Sequence, residues 1–284
     1  MRGAGSQCVV VDETMLLDGA SEPDLRFASV AGGEVVAYTC RSPDKETQNE
    51  DTVAVVSYGP QASVLIVADG AGGLPAGKKA SLAAVSTLVD ALQASTDKTF
   101  LMRTTIMDGI EAANTAVMDL GNGSATTLTV ITIEGLTVRA YQIGDSEAVI
   151  TGQRGLVRAQ TMAHSPTGFA VEAGFLDERE ALHHEERHLV SNFIGTSDMR
   201  IDVGAAVSLR PRDTVLVASD GLTDNVHMHE INNLMRKGPL EKALDAIVNL
   251  ALYRMKADST NQPSKPDDLS IILFRKTVKT SSQR

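Results

Sequence analysis

The order of hydrophobic periodicities constrains this chain more than any single residue does. Two β-branched runs, TVAVVS at 52–57 and VLIVA at 64–68, are separated by YGPQA, whose Gly-Pro marks a turn, so they read as an antiparallel pair. Two helical stripes follow directly: Val85, Leu88, Val89 and Leu92, then Ile106, Ile110, Ala113 and Val117. Helices that come in pairs cannot serve one-for-one as crossovers between parallel strands, so the pattern predicts an α+β layered sandwich.

Strand signals then resume. SATTLTVITIEGLTVRAYQIGDSEAVITG is rich in Thr, Val and Ile with Gly at short intervals, and reads as a meander of three sequential strands. Residues 160–200 are less regular, with AVEAGFLDEREALHHEERH as a short helix in a flap. A buried strand is predicted at Val215–Ser219, an amphipathic helix on Leu240, Ala243, Leu244, Ile247 and Ala251, and a last strand after the polar loop NQPSKPDD. Nothing marks a linker or a repeat. The chain reads as one domain over 1–284, with a core at about 35–276, an N-terminal extension at 1–34 and a frayed tail at 277–284.

Lys and Arg number 26 against 36 Asp and Glu, a net charge of −10 that argues against nucleic acid or an anionic membrane as partner. No apolar run approaches the ~18 residues of a membrane span, and MRGAGSQCVVVDETMLLDG lacks the core of a secretory signal. Two cysteines, Cys8 and Cys40, make neither a disulfide framework nor a metal-ligand spacing, which fits a cytoplasmic protein.

The chemistry lies in acidic residues at strand ends. Glu50 and Asp51 precede a strand; Asp69, Asp145 and Asp220 each follow one, in VADG, QIGDS and VLVASDG; Asp267 and Asp268 precede the last. Any one of these is ordinary turn chemistry. As a set, they border unusually apolar strands whose ends a sheet gathers along one rim. Carboxylates clustered in a partly dry cleft raise one another's pKa unless a multivalent cation neutralises them. Oxygen ligands without Cys or His select a hard ion, Mn2+ or Mg2+. More than four acids suggest two ions, the arrangement that activates water for in-line attack on a phosphoester. Glycine after Asp69 allows a backbone carbonyl to approach the ion.

NED, VADGAGGLPAGKKAS, SATTLTVI, IGDSEAVI, LVASDGLTDN and KPDDLSIIL, in that order between about residues 37 and 275, resemble the bacterial PPM-type (protein phosphatase 2C-like) serine/threonine phosphatases. The resemblance implies a four-layer α-β-β-α sandwich, two antiparallel sheets flanked by helix pairs. It implies hydrolysis of phosphoserine and phosphothreonine on a phosphorylated protein by a water bridging two Mn2+ or Mg2+ ions, in a monomer. Asp69 would bridge the ions; Glu50 and the Gly70 carbonyl would serve one, Asp220 and Asp267 the other, and Asp51 would hold metal-bound water. Asp145 and Asp224 match the pair that binds a third, weaker ion.

The sequence also departs from the family. Glu46 stands where members often carry a phosphate-clamping Arg, leaving Lys45 or Arg41 as substitutes, and a Lys offers a point charge in place of a bidentate fork. Ala71 and Leu74 stand where various members have His. A weakly active or inactive regulatory protein of the same fold is therefore the alternative. His184 and His188, four apart, read as part of a solvated flap helix, and GAGG lacks the ending of a phosphate-binding loop.

Overall fold

The computed structural model describes residues 9–10, 14–19, 22–43, 45–71, 76–95, 102–121, 123–257 and 262–277. Leu74, Cys8 and the tail beyond 277 lie outside them. In chain order the strands and helices are β1 (Val9–Val10), β2 (Met15–Leu17), β3 (Asp24–Val30), β4 (Gly33–Cys40), β5 (Thr52–Ser57), β6 (Ala62–Ala68), α1 (Gly77–Ala94), α2 (Met102–Met118), β7 (Leu128–Glu134), β8 (Thr137–Ile143), β9 (Glu147–Thr151) and β10 (Val157–Gln160). There follow α3 (Pro166–Glu172), α4 (Glu178–Leu182), β11 (Asp202–Val203), β12 (Val207–Ser208), β13 (Thr214–Ala218), α5 (Asp220–Thr223), α6 (Met228–Met235), α7 (Leu240–Met255) and β14 (Leu269–Lys276).

One sheet runs β1-β3-β4-β14-β13-β9-β10 and the other β11-β8-β7-β6-β5-β2, with β12 also on β8. Every pairing is antiparallel except the short one between β1 and β3. The sheets pack face to face. Val53, Val55, Leu65, Val67 and Ile131 from one meet Val35, Ala37, Val215, Val217 and Ile272 from the other. The alternate residues Ala54, Val56, Val64 and Ile66 face outward onto Leu88, Leu92, Ile106 and Ile110 of α1 and α2. On the far side Val36, Leu216 and Leu273 pack beneath Leu244, Ile247 and Ala251 of α7. Two-sided burial is why the central strands read as unbroken apolar runs rather than alternating ones. The result is the four-layer α-β-β-α sandwich.

Two expectations meet a different arrangement. β7 and β8 form a hairpin, but β9 does not continue the meander: it pairs with β13 and β10 in the opposite sheet. The chain crosses between sheets at Gly144, whose φ of +100° and close approach to Thr127 exclude a side chain. Residues 15–17 and 24–30, set outside the core by their sequence, add strands to both sheets: β2 forms an edge on β5, and β3 lies between β4 and the short edge strand β1. Their burial is partial, so the hydrophobic signal was weak.

Candidate active site

The sheet rim at the ends of β6 and β13 and the starts of β5 and β14 gathers the acidic residues. Asp69 leaves β6 with its backbone held twice: its N–H donates to Thr127 Oγ1 at 3.0 Å, and its carbonyl accepts from the Thr127 N–H at 2.8 Å and Thr126 Oγ1 at 2.7 Å. The Thr-rich SATT segment therefore anchors the aspartate, a role its composition did not reveal. Gly70 is wedged between backbones: an added Cβ would stand 2.3 Å from Gly77 O and 2.9 Å from Glu50 O.

Glu50 and Asp51 are placed by Asn49, which is fully buried. Its Nδ2 donates to Thr39 Oγ1 at 2.8 Å, and the Asp51 N–H donates to its Oδ1 at 2.9 Å. Asp51 is fully buried too, and its Oδ2 accepts from Ser219 Oγ at 2.9 Å. Ser219 Oγ in turn accepts the Ser270 N–H at 3.0 Å, joining β5, β13 and β14 through one carboxylate.

The neighbouring pair at the last strand divides its labour. Asp268 is buried and serves the frame: Oδ1 accepts from the Ser42 N–H and Oδ2 from the Glu50 N–H, both at 2.8 Å, and Oδ2 also from Lys45 Nζ at 2.6 Å. Asp267 is partly exposed, with Oδ2 3.3 Å from Lys265 Nζ. Lys45 further pairs with Glu50 at 2.9 Å, so its ammonium is committed to two carboxylates. Its third N–H is the one left to meet a phosphate. Arg41 is half-buried just beyond β4, and Glu46 is exposed.

Asp220 opens α5 and Asp224 caps it, while Asp145 is buried in the crossover between β8 and β9. The crossover is held by His164, whose Nδ1 accepts from the Gly144 N–H at 3.2 Å and pairs with Asn192 Nδ2 at 2.9 Å. Nδ1 as acceptor leaves the proton on Nε2. Burial, only partly countered by Asp202 and reinforced by Arg200, lowers the His164 pKa. The unfolded chain therefore binds its proton more readily than the native one, and stability falls as pH drops below the ordinary histidine value of about 6.5. Urea midpoints between pH 7.5 and 5.5 should fall more steeply for wild type than for His164→Gln; parallel slopes would contradict a buried neutral imidazole.

Electrostatically the cluster is unbalanced. Burial and the charges of Asp51, Asp220, Asp267 and Asp145 hold the Asp69 carboxyl well above the ordinary range. Burial with Asp268 lifts Asp51 to about 8; burial with Asp220 lifts Asp267 to about 7 and Asp224 to about 6. Asp145 is raised by burial, Asp220 and Asp224. Asp220 goes the other way: burial opposes its charge, but Lys265 outweighs it and holds the carboxylate low. Asp51 Oδ1 and Asp220 Oδ1 are buried without a hydrogen-bond donor among the described residues. Orphaned buried oxygens, mutually raised carboxyls and an all-oxygen donor set fit a hard divalent ion. Among the described residues no three acidic, His or Cys side chains already stand in ligating geometry around one point, and Lys45 and Lys265 occupy oxygens of Glu50, Asp268, Asp220, Asp224 and Asp267.

Beside the cluster lies a cleft of ≈ 340 Å³ whose lining includes Asp145, Asp220 and Asp224 together with Arg179 and Arg187 of the flap. The flap holds α3 and α4, and α4 ends at Leu182, so His184 and His188 are not on a helix. His184 Nδ1 accepts the Glu186 N–H at 3.1 Å, a local turn contact. Among the described residues no helix is long and apolar enough to cross a membrane.

The profile of the family described as Protein phosphatase 2C matches residues 43–257. The chain is 30% identical over 224 residues to a putative protein phosphatase 2C-type of Streptococcus pyogenes serotype M6, covering 76% of this chain and 90% of that one. It is 29% identical over 241 residues to the serine/threonine phosphatase stp of Listeria monocytogenes serotype 4b, covering 81% and 91%. The solved catalytic domain of the serine threonine protein phosphatase PstP, in complex with 2 manganese ions, is similar in fold, with a TM-score of 0.67 at 23% identity over 89% of this chain and 99% of that one. With three quarters of its length matched and its sandwich shared, the chain belongs to the protein phosphatase 2C family.

Proposed function

We propose that this protein is a Mn2+- or Mg2+-dependent serine/threonine phosphatase that hydrolyses phosphoserine and phosphothreonine on protein substrates, acting as a monomer. The observation that carries the reading is the convergence at one rim of acids from five distant stretches of chain, with two buried oxygens left without donors. Asp69 would bridge two ions, Glu50 and the Gly70 carbonyl holding one and Asp220 and Asp267 the other, with Asp145 and Asp224 at an outer position. When bound, such a pair of ions lowers the pKa of a water and orients it for in-line attack on phosphorus.

The chain's own residues supply the rest. Asp51, fixed through Oδ2 by Ser219, keeps a buried Oδ1 with no donor, which can orient a water. Asp268 and Asn49 hold the NED loop against β4 and β14, which fixes the backbone that carries Glu50 and Asp51. The cleft under the flap accepts the polypeptide that flanks the phosphorylated residue, and Arg41 and Lys45 are the cations nearest in sequence to the missing clamp.

Glu46 in place of an Arg, and the commitment of Lys45 to Glu50 and Asp268, favour a second reading: a weakly active protein that binds metal but turns over slowly. One experiment separates them. A phosphothreonine peptide incubated with the protein and Mn2+ should release phosphate, and EDTA should abolish the release. Manganese binding by calorimetry without release above background supports the second reading, and neither binding nor release defeats both.

A further inference from the structure

Lys265 has no part in the roles assigned so far, yet it touches more of the cluster than any other cation. Its Nζ lies 2.6 Å from Asp220 Oδ2, 2.7 Å from Asp224 Oδ2 and 3.3 Å from Asp267 Oδ2. An ammonium has three donors, and here three carboxylate oxygens surround it. The placement is built into the fold. The Lys265 N–H donates to Asn225 Oδ1 at 2.7 Å, and Asn225 Nδ2 donates to Lys265 O at 2.8 Å and Gly221 O at 2.9 Å. Asn225 is fully buried, and its own carbonyl accepts from Arg254 Nη1 at 3.0 Å. Arg254 is braced by Glu230 through both terminal nitrogens, at 2.7 and 2.8 Å. Pro266 follows and restricts the backbone further. A lysine on a loop clamped at both its N–H and its carbonyl has lost much of the freedom that lets a surface lysine wander.

Asp220 divides its two oxygens. Oδ2 meets Lys265, while Oδ1 stays buried and without a donor. One oxygen thus remains for an inner ion even with the ammonium in place. Asp224 has no such spare role at the inner position, and its Oδ2 belongs to Lys265. Burial disfavours the charge on Lys265, but Asp220, Asp224 and Asp267 more than restore it. A divalent ion brought between Asp145 and Asp224 would face this fixed positive charge in a partly dry cleft, where repulsion is weakly screened.

We propose that Lys265 is a resident counter-cation that replaces an outer divalent ion between Asp145 and Asp224, so that this enzyme carries two ions and not three. The inference rests on the ligand assignment made under the proposed function. It accounts for why the acids at the outer position coexist with a lysine at all, and it makes the outer half of the site independent of metal supply.

Calorimetric titration of the full chain with Mn2+ tests it. Wild type should bind two ions. K265M should bind a third, at least tenfold tighter than any outer binding detectable in wild type, and adding D224N to K265M should remove it. Two ions in both wild type and K265M, or three in wild type, overturns the proposal while leaving the ligand assignment standing; no binding by wild type overturns the assignment itself. Should K265M not fold, K265Q takes its place: it keeps a hydrogen-bonding head beside Asp220 and Asp224 but removes the charge, so it too should bind a third ion, whereas two ions in K265Q overturns the proposal.

Discussion

Asp69→Asn is expected to abolish Mn2+-dependent hydrolysis of p-nitrophenyl phosphate, lowering kcat/KM by a factor on the order of 10³ or more. Asn keeps the shape and one acceptor oxygen but removes the charge that would sit between two ions, and with it the shared ligand. The same substitution should act oppositely on the metal-free protein. Asp69 is pressed by Asp51, Asp220, Asp267 and Asp145, and burial disfavours its charge further. Removing it relieves that repulsion, so metal-free Asp69→Asn should melt above wild type, by an amount on the order of 1 kcal/mol or more. Saturating Mn2+ should reverse the order, because only wild type gains full binding energy. A variant that stays active, or one that melts below wild type without metal, would defeat the bridging role.

Gly70→Ala should be nearly as damaging, through geometry alone. The added methyl would stand 2.3 Å from Gly77 O, 2.4 Å from Gly77 C and 2.9 Å from Glu50 O. All three are backbone atoms, which cannot rotate aside, so the start of α1 must move away from the end of β6 or Glu50 must shift. The expected cost is about 3 kcal/mol, with a fall in Tm of roughly 6–12 °C for a chain of this size. Manganese affinity should fall with it, since Glu50 and Asp69 flank the displaced backbone. Gly152→Ala is the control: its Cβ would meet nothing closer than 3.4 Å, and it should stay within about 0.5 kcal/mol of wild type. Equal melting temperatures for the two variants would show that the wedge at Gly70 is not tight.

Much of the architecture was legible because burial leaves a mark on composition. β5 and β6 are apolar on both faces, which marked them as an antiparallel pair of strands, and the stripes on α1, α2 and α7 match the faces that pack. The positions of Asp69, Asp145 and Asp220 at the ends of apolar runs were visible for the same reason. Other features leave no such mark. The switch of β9 into the opposite sheet depends on the backbone angle at Gly144 and its contact with Thr127, and SEAVIT looks the same in either sheet. The outlying strands β2 and β3 are half-covered, so their pattern resembles that of a polar extension.

The frame residues were hidden by their ordinary chemistry. Asp268 reads only as one more acid beside Asp267, which the resemblance favours as the ligand; its framing role shows in its oxygens taking the Ser42 and Glu50 N–H groups. Lys265, in a polar Pro-rich loop, reads as a solvated side chain; only the clamp from Asn225, distant in sequence, turns it inward. His164 carried one usable signal, its place before Ser-Pro at a helix start, where Ser165 accepts the Gly168 N–H. That signal locates the turn and says nothing of the Gly144 contact.

The most direct measurement is anomalous diffraction from crystals grown with Mn2+. Two manganese peaks should flank Asp69, one within about 2.0–2.2 Å of oxygens from Glu50 and Gly70 and the other from Asp220 and Asp267. Manganese absent from this rim, or bound where Asp69 cannot reach it, would contradict the two-ion site.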